Sequence, residues 1–212
     1  MSRTSLGTVL ASEIARFLGR SLVGEDFQVR NLSGFPAEQE NSLCHLVADA
    51  ALPEPLARVR QSLVLTSKEQ SRALLDCGYS TIESEHPKYD LAVAVNELMV
   101  PRPQAGIHGT VSIGPNVSIG QNVTIGPFCL LDGYINIGNS CVLGAQITLK
   151  NDVLLENEVR IRNGAVLGED AYSFGFGPNG ESVRFPCVGG LRIGNKVEIG
   201  NNVVISRGVH EN

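Results

Sequence analysis

Aromatic residues are scarce in this sequence. Its 212 residues include no Trp, and Phe, Trp and Tyr together make up only 5% of the chain. Because 42% of the residues are nevertheless hydrophobic, the chain has enough apolar surface for a core, and that core must be aliphatic. This apolar fraction, with a formal net charge of only −5, excludes an intrinsically disordered chain. The length suits one large or two small domains.

Three further absences exclude classes of protein. Neither half contains a block of Lys and Arg, so nucleic acid is not an expected partner. The five cysteines form no CxxC pair and are odd in number, which favours free thiols in a reducing compartment. No run approaches the roughly 18 apolar residues of a membrane span, and charged residues interrupt residues 1–24, where a signal peptide would lie. We therefore expect a cytoplasmic protein without a membrane span.

Glycine is abundant, and 18 of the 23 glycines lie in residues 106–212. The same region contains a six-residue repeat, which decides the architecture. Ile or Leu occupies every sixth position in eleven successive units: Ile107, Ile113, Ile119, Ile125, Leu131, Ile137, Leu143, Leu149, Leu155, Ile161 and Leu167. The phase is lost after residue 168 and returns at Ile193, Ile199 and Ile205.

A period of six excludes a helix, which repeats near 3.6, and a long strand, which repeats at 2. Each unit instead predicts a very short strand with one buried face, followed by a turn at Gly or Asn, the residues that reach positive φ most easily. Three units would close one coil, and stacked coils would form a parallel β-helix with three sheets. Cys129 and Cys141 fall on inward positions and are interpreted as small hydrophobic residues.

Several outward positions of these predicted coils are apolar. One face carries Leu130 and Val166, and the other two carry Val142 and Leu154. Apolar outward residues indicate a covered surface, and a homotrimer fits a three-sided prism. Scattered surface apolar residues are the alternative interpretation.

Residues 168–192 interrupt the repeat with GEDAYSFGFGPNGESVRFPCVGGLR, a segment that contains three of the seven Phe. A long loop that leaves a repetitive scaffold is usually functional; an exposed hairpin that only caps a neighbour is the alternative. We predict a β-helix over residues 105–212 with an extruded loop over 168–192.

The first 100 residues do not repeat and predict a small α/β domain of the substrate-binding type, joined by a stiff linker over 101–104. The predicted elements are a helix around Leu10–Leu18, strands Val29–Leu32, Leu63–Thr66 and Ser80–Ile82, and helices Gln70–Cys77 and Tyr89–Met99.

These features together resemble a known family. The N-terminal LASEIARFLG, the hexapeptide array, the loop GEDAYSFGFGPNGESVRFPCVGG and the following LRIGNKVEIGNNVVISRG are similar to the bacterial UDP-3-O-acylglucosamine N-acyltransferase family. The resemblance covers nearly the whole chain and implies a homotrimeric left-handed β-helix. It also implies transfer of a 3-hydroxyacyl chain to the amine of a UDP-linked acylated glucosamine, in lipid A synthesis. The donor would be a thioester of acyl carrier protein or coenzyme A, with no bound cofactor and no metal.

In that family a β-helix His acts as general base on the amine, and backbone N–H groups hold the thioester oxyanion. The family's catalytic His lies beyond the segment matched by Ile199–Gly208, and the array stops at Asn212. If the 212 residues are a fragment of a longer enzyme, we expect the fragment itself to be inactive, and the catalytic residue is left unassigned. His210 is the candidate among its own residues, with a frayed terminal His as the alternative.

The resemblance also suggests where substrate binds. The family's uracil site uses a Phe, an Asn and a Tyr, which correspond here to His45, Ala48 and Ala51. The family's IDRG reads Ile205-Ser206-Arg207-Gly208. The candidate substrate-binding residues are His45, Asp170, Tyr172, Phe174 and Phe176.

Two other functions compete with an acyltransferase. The altered His45–Ala51 stretch favours a non-catalytic trimeric scaffold, or a paralogue that has lost the nucleotide-sugar site. A hexapeptide carbonic anhydrase needs three zinc-binding His at one site, whereas the repeats contain only His108 and His210. His108 falls at a corner and is interpreted as a solvated surface residue.

Overall fold

The computed structural model describes residues 6–47, 50, 52, 61–101 and 103–210. The chain divides into two compact units, residues 1–102 and 103–212. The sequence predicted boundaries at residues 100 and 105; Arg102, in the predicted linker, lies outside the described residues. The protein is mostly β-structure, with several parallel sheets and few helices. No helix in the described part of the chain is both long and apolar enough to cross a membrane.

The described residues of the first unit form seven strands and three α-helices. The strands are β1 (Val9–Leu10), β2 (Leu22–Val23), β3 (Gln28–Val29), β4 (Asn31–Leu32), β5 (Ser42–His45), β6 (Ser62–Thr66) and β7 (Ser80–Glu83). The helices are α1 (Ala11–Phe17), α2 (Lys68–Asp76) and α3 (Pro87–Ala94), and α3 continues into a π-helical turn, Val95–Met99.

Five of these strands form one sheet in the order β2, β7, β6, β5, β4. Strands β4 to β7 run parallel, and β2 is antiparallel to β7. Leu43, Leu63 and Ile82 are fully buried on this sheet and pack with Ile14 of α1. The parallel strands therefore end at the same edge of the sheet, where loops and helix N-termini gather.

The sequence-based elements of this unit are only partly right. Strands β6 and β7 and all three helices are present, whereas β5 was not predicted because its residues SLCH carry no alternation of apolar and polar side chains. The predicted strand Val29–Leu32 is wrong as a single element: β3 pairs with β1, and β4 pairs with β5 in the other sheet. Pro87 starts α3 earlier than predicted, because a proline at the first helical position lacks only an N–H that would be unpaired anyway.

The second unit consists of short strands: β8 (Gly106–Ile107), β9 (Ser112–Ile113), β10 (Val117–Ile119), β11 (Thr124–Ile125), β12 (Leu130–Ile137), β13 (Val142–Leu143), β14 (Thr148–Leu155), β15 (Arg160–Ile161), β16 (Val166–Glu169), β17 (Phe174–Phe176), β18 (Ser182–Arg184), β19 (Leu191–Ile193), β20 (Glu198–Ile199) and β21 (Val204–Ser206).

These strands pair in parallel at a constant spacing. Val117 pairs with Ile135, and Thr124 pairs with Val142, in each case 18 positions later. After the interruption Arg160 pairs with Glu198, 38 positions later. Successive coils of the chain therefore lie one above another, and the interruption lengthens one coil without changing which positions face each other.

The second unit does not form the three separate sheets that the sequence predicted. The strands form one seven-stranded and one five-stranded parallel sheet. The eight-residue strands β12 and β14 remain hydrogen-bonded through a bend, where Gly133 (φ 140°) pairs with Asn151 (φ 63°). Because the bend keeps this backbone pairing, two of the three repeat positions belong to one continuous sheet.

The predicted role of the repeat glycines is wrong. Of the eight glycines that directly follow a repeat Ile or Leu, only Gly168 has a positive φ. The positive φ values of 56° to 63° fall on other residues of the coils: Asn122, Phe128, Ser140, Gln146, Asn151, Glu158, Lys196 and Asn202. The glycines are required for close approach instead: a Cβ on Gly126 would lie 2.6 Å from the carbonyl oxygen of Gly144, in the next coil.

Aliphatic side chains fill the interior of the coils as predicted. Leu131, Leu149 and Leu167 are fully buried, one from each of three successive coils. Ile107 and Ile113 are the exceptions, since these inward positions of the first coil are about half exposed. Cys129 and Cys141 are buried in this core, and burial raises the pKa of both thiols. All five cysteines are free.

A ladder of asparagine side chains joins the coils at one corner. The Oδ1 atom of Asn139 accepts from the backbone N–H of Gln121 at 2.8 Å, and Oδ1 of Asn157 accepts from the N–H of Asn139 at 2.9 Å. Oδ1 of Asn195 accepts from the N–H of Asn157 at 3.0 Å, across the interruption. Each bond satisfies a backbone donor that the tight corner leaves unpaired.

One outward column of side chains contains apolar residues in several coils, and two of them are exposed to solvent. Ser112, Leu130, Thr148, Val166 and Val204 are neighbours across successive strands. Leu130 and Val204 are exposed, Val204 at 67%. The outward residues Val142 and Leu154 are half-buried.

Candidate functional site

The interruption forms an ordered antiparallel hairpin. Phe174 pairs with Arg184, and Phe176 pairs with Ser182. The N–H of Phe185 donates to the carbonyl of Ser173 at 2.8 Å, which extends the pairing toward the base of the hairpin. The exposed tip turns at Gly180, whose φ of 82° requires glycine. A folded hairpin presents its side chains in fixed positions, as a binding element must.

Asp170 lies at the base of this hairpin and is held by two arginines. The Nε of Arg207 donates to Oδ1 of Asp170 at 2.7 Å, and Nη2 of Arg184 lies 3.8 Å from Oδ2. The N–H of Arg207 also donates to the carbonyl of Glu169 at 2.9 Å. The carboxylate therefore ties the hairpin to the chain that follows β21. This predicted substrate-binding residue already has two cationic partners.

The aromatic side chains of the hairpin divide into two groups. The rings of Tyr172 and Phe174 meet edge to face with their centroids 4.7 Å apart. Tyr172 is 90% exposed, whereas Phe174 is half-buried. Phe176 is exposed nearer the tip, on the same strand. Tyr172 and Phe174 thus offer an exposed aromatic surface suited to a flat or apolar ligand.

His210 lies beside the base of the hairpin. Its imidazole packs against the ring of Phe185, edge to face, at a centroid distance of 5.8 Å. Backbone hydrogen bonds hold the two segments together: the N–H of Gly189 donates to the carbonyl of Gly208 at 3.0 Å, and the N–H of Val188 donates to that of Val209 at 3.2 Å. His210 is therefore paired with the hairpin, and its ring is exposed.

A second anchor holds the returning strand of the interruption. Nε of Arg192 donates to Oε1 of Glu156 at 2.8 Å, and Nδ2 of Asn195 donates to Oε2 at 2.6 Å. The hydrogen bond from Arg192 keeps the pKa of Glu156 below its ordinary value. Both ends of the interruption are thus fixed by a carboxylate–arginine contact, one at Asp170 and one at Glu156.

His45 belongs to the first unit, whereas the hairpin and His210 belong to the second. It ends β5, pairs with Leu65 of β6 and is half-buried. Ala48 and Ala51, the other two positions that correspond to the family's uracil site, lie outside the described residues. The structure therefore places one member of that predicted site at the end of a parallel strand.

His108 forms a local turn contact. Its Nδ1 lies 2.9 Å from Oγ1 of Thr110, and Thr110 Oγ1 accepts from the N–H of Phe128 at 3.0 Å. This exposed corner histidine orders the first coil. In the described ranges, no three His, Cys, Asp or Glu side chains are grouped as a metal ion requires.

The hairpin cluster is larger than the residues chosen from sequence. Asp170, Tyr172, Phe174 and His210 all lie around its base. Arg184, Phe185 and Arg207 complete this hairpin cluster, and the sequence did not predict them as site residues. The sequence signal for Arg207 is its place in the ISRG segment, two positions after Ile205, the last aliphatic position of the repeat.

No protein-family model matches this chain. A search of curated proteins also finds no match.

Proposed function

We propose that this chain belongs to an acyltransferase that moves an acyl group from a carrier thioester to the amine of a nucleotide-linked amino sugar. The supporting observation is a parallel coil array of constant spacing, interrupted once by an aromatic hairpin that packs beside His210. In the family that the sequence resembles, this combination accompanies lipid A synthesis. The donor in this proposal is acyl carrier protein or coenzyme A, and the five free thiols suit the reducing cytoplasm where such donors occur.

We propose in addition that the coils wind as a left-handed β-helix and associate as a homotrimer. Parallel pairing at one constant spacing is what such a helix requires, and the exposed column around Leu130 and Val204 supplies an apolar surface for a second copy. Sedimentation of the native chain and of a Val204→Glu variant tests the assembly. A trimer that the variant converts to monomer is expected, and a native monomer would contradict it.

The chemistry needs a base for the amine and a surface for the acyl chain. An imidazole titrates near neutral pH and can accept a proton from the amine as its lone pair attacks the thioester carbonyl and the carrier thiol leaves. His210 is the exposed imidazole of the hairpin cluster, and Tyr172 with Phe174 offers an apolar surface nearby in the chain. The Asp170–Arg207 contact positions the hairpin and does not take part in proton transfer.

The test measures acceptor binding first and transfer second. Calorimetry with UDP-3-O-acylglucosamine is expected to give micromolar binding, and UDP alone is the control. Mass spectrometry then follows acyl transfer from acyl carrier protein by the native chain and by His210→Gln. Turnover that the variant loses would assign the base to His210. Binding without turnover would agree with a catalytic His outside this sequence.

A non-catalytic trimeric scaffold is the second candidate. It is favoured by His45, which ends β5 where the resembled family has an aromatic residue, and by Asp170, whose carboxylate is already occupied by arginines. A scaffold predicts a stable trimer that binds no nucleotide sugar. The calorimetric experiment therefore separates the two functions.

A further inference from the structure

The first unit contains a cavity that the proposed acyl transfer does not use. Its volume is about 740 Å³, within the range of small-molecule sites. Its lining includes Gly19, Arg20, Lys68, Glu69, Glu83 and Glu85. All of them belong to the first unit, and none is among the residues predicted from sequence to bind substrate.

The cavity lies where parallel sheets commonly bind ligands. Ser67 directly follows β6, and Glu83 ends β7, so the cavity opens at the carboxyl ends of two adjacent parallel strands. Lys68 begins α2, a nine-residue helix with no side-chain cap, and the first turn of this helix faces the cavity. The N-terminal end of a helix adds positive potential there.

Arg20 is fixed in the cavity wall by a buried carboxylate. Its Nε donates to Oδ2 of Asp90 at 2.7 Å, and the hydroxyl of Ser84 donates to the same oxygen at 2.7 Å. Asp90 is 8% exposed, so its carboxylate is largely shielded from water, whereas the Arg20 side chain remains partly exposed. The bond to Asp90 uses Nε and leaves the two Nη groups of the guanidinium for another partner. A guanidinium held in this way is preorganised to bind an oxyanion in two places.

The remaining charges on the cavity wall are of both signs. Lys68 carries a positive charge, and Glu69, Glu83 and Glu85 carry negative charges. None of these four side chains takes part in an ion pair with another described residue. A hydrogen bond from its own backbone N–H lowers the pKa of Glu69, and so do a hydrogen bond from Ser67 and the charge of Lys68. The wall thus offers separated cationic and anionic groups to one occupant.

We propose that this cavity binds a small zwitterion, a molecule that carries an ammonium group and an oxyanion within a few ångströms of each other. The oxyanion, a carboxylate or a phosphate, is held by Arg20 and Lys68 at the start of α2. The ammonium is held by Glu83 and Glu85 at the end of β7. A simple anion meets three carboxylates, and a simple amine meets two cations, so each is disfavoured relative to a ligand that carries both charges.

The proposal is tested by NMR titration of the full 212-residue chain. L-Alanine and O-phosphoethanolamine serve as carboxylate and phosphate zwitterions, and lactate, ethyl phosphate and ethylamine serve as ligands with charge of only one sign. At least one zwitterion is expected to shift the amide signals of Gly19, Lys68 and Glu85. Its affinity is expected to be about tenfold higher than that of the matched single-charge ligands. The two zwitterions distinguish a carboxylate from a phosphate.

Variants with matched controls localise the binding. Lys68→Gln and Glu85→Gln alter exposed cavity residues and are each expected to weaken binding about threefold to tenfold. Arg72→Gln, on α2 but not on the cavity wall, and Glu38→Gln are expected to leave it unchanged. The proposal is wrong if neither zwitterion shifts these signals at about 10 mM, if lactate or ethyl phosphate binds as tightly, or if the controls weaken binding equally. Acyl transfer is not measured, so failure here leaves the proposed function untouched.

Discussion

The two units bury aliphatic cores by different means. In the second unit every coil repeats the contacts of the one before it, with each partner one coil further along the chain. In the first unit the contacts are individual: Arg20 and Asp90, separated by 70 positions, meet only because the sheet brings them together. A repetitive unit distributes its stability over similar interfaces, whereas the first unit depends on a few particular side chains.

The largest effects are expected from truncation of core leucines. Leu65→Ala in the first unit and Leu149→Ala in the second remove fully buried side chains, and each is expected to lower the free energy of unfolding by about 2 to 5 kcal/mol. Hydrogen exchange should rise throughout the sheet of the first unit for Leu65→Ala, but mainly in the adjacent coils for Leu149→Ala. Leu32→Ala, at an exposed position, is the control. Equal acceleration across all coils would contradict the distributed stability of the second unit.

A smaller loss is expected when the individual contact of the first unit is broken. Asp90→Asn removes a carboxylate that accepts from both Arg20 and Ser84, and is expected to cost about 1.5 to 3 kcal/mol. Glu158→Gln breaks the exposed contact with Lys196 at 3.9 Å in the second unit and is expected to cost under about 1 kcal/mol. Urea denaturation measures both. A cost for Glu158→Gln as large as that for Asp90→Asn would remove the contrast between the units.

A repeat glycine tests how closely the coils are packed. A Cβ at Gly120 would lie 2.8 Å from the carbonyl carbon of Gly138, so Gly120→Ala is expected to destabilise the second unit by about 1 to 3 kcal/mol. Gly109 has open space around its Cβ position, and Gly109→Ala is expected to be neutral or slightly stabilising. Thermal unfolding of the pair provides the comparison. Equal melting temperatures would show that close approach does not explain these glycines.

The smallest effect is expected from acid. Arg192 lowers the pKa of Glu156 in the folded chain below its ordinary value of 4.5. The contribution of Glu156 to stability is therefore complete above pH 4.5 and is lost as the pH falls below it. Glu156→Gln is expected to be slightly less stable than the native chain at pH 7 and equally stable at strongly acidic pH. Denaturation midpoints across this pH range measure the difference, and a constant difference would contradict the assignment.

The sequence predicts the second unit well for a physical reason. Ile119, Ile137 and Leu155 occupy equivalent environments, so the same constraint is recorded many times and period and phase are unambiguous. The sequence does not predict the backbone conformation at the corners, because Phe128 and Glu158 adopt positive φ although neither residue type favours it. Coil stacking decides the backbone there, and local propensity does not.

The first unit and the site are less predictable from sequence. Ser42–His45 is a short strand in the middle of a sheet, and its residues have no pattern that distinguishes them from a loop. The contact of Asp170 with Arg207 spans 37 positions and exists because the coil returns the chain to the same height. The sequence alone predicts neither this contact nor the charged groups around Arg20, because the residues involved are far apart along the chain.

The hairpin leaves the array between β16 and β19, yet Leu191 pairs with Val153 as though the chain had simply continued. The cost of closing a flexible loop grows only slowly with its length, by about 0.6 kcal/mol for each doubling. Because the departure and the return are each anchored by their own carboxylate–arginine contact, the excursion is modular. Residues can therefore be added to, removed from or exchanged at the tip of the hairpin without altering the strand register of the coils beneath it.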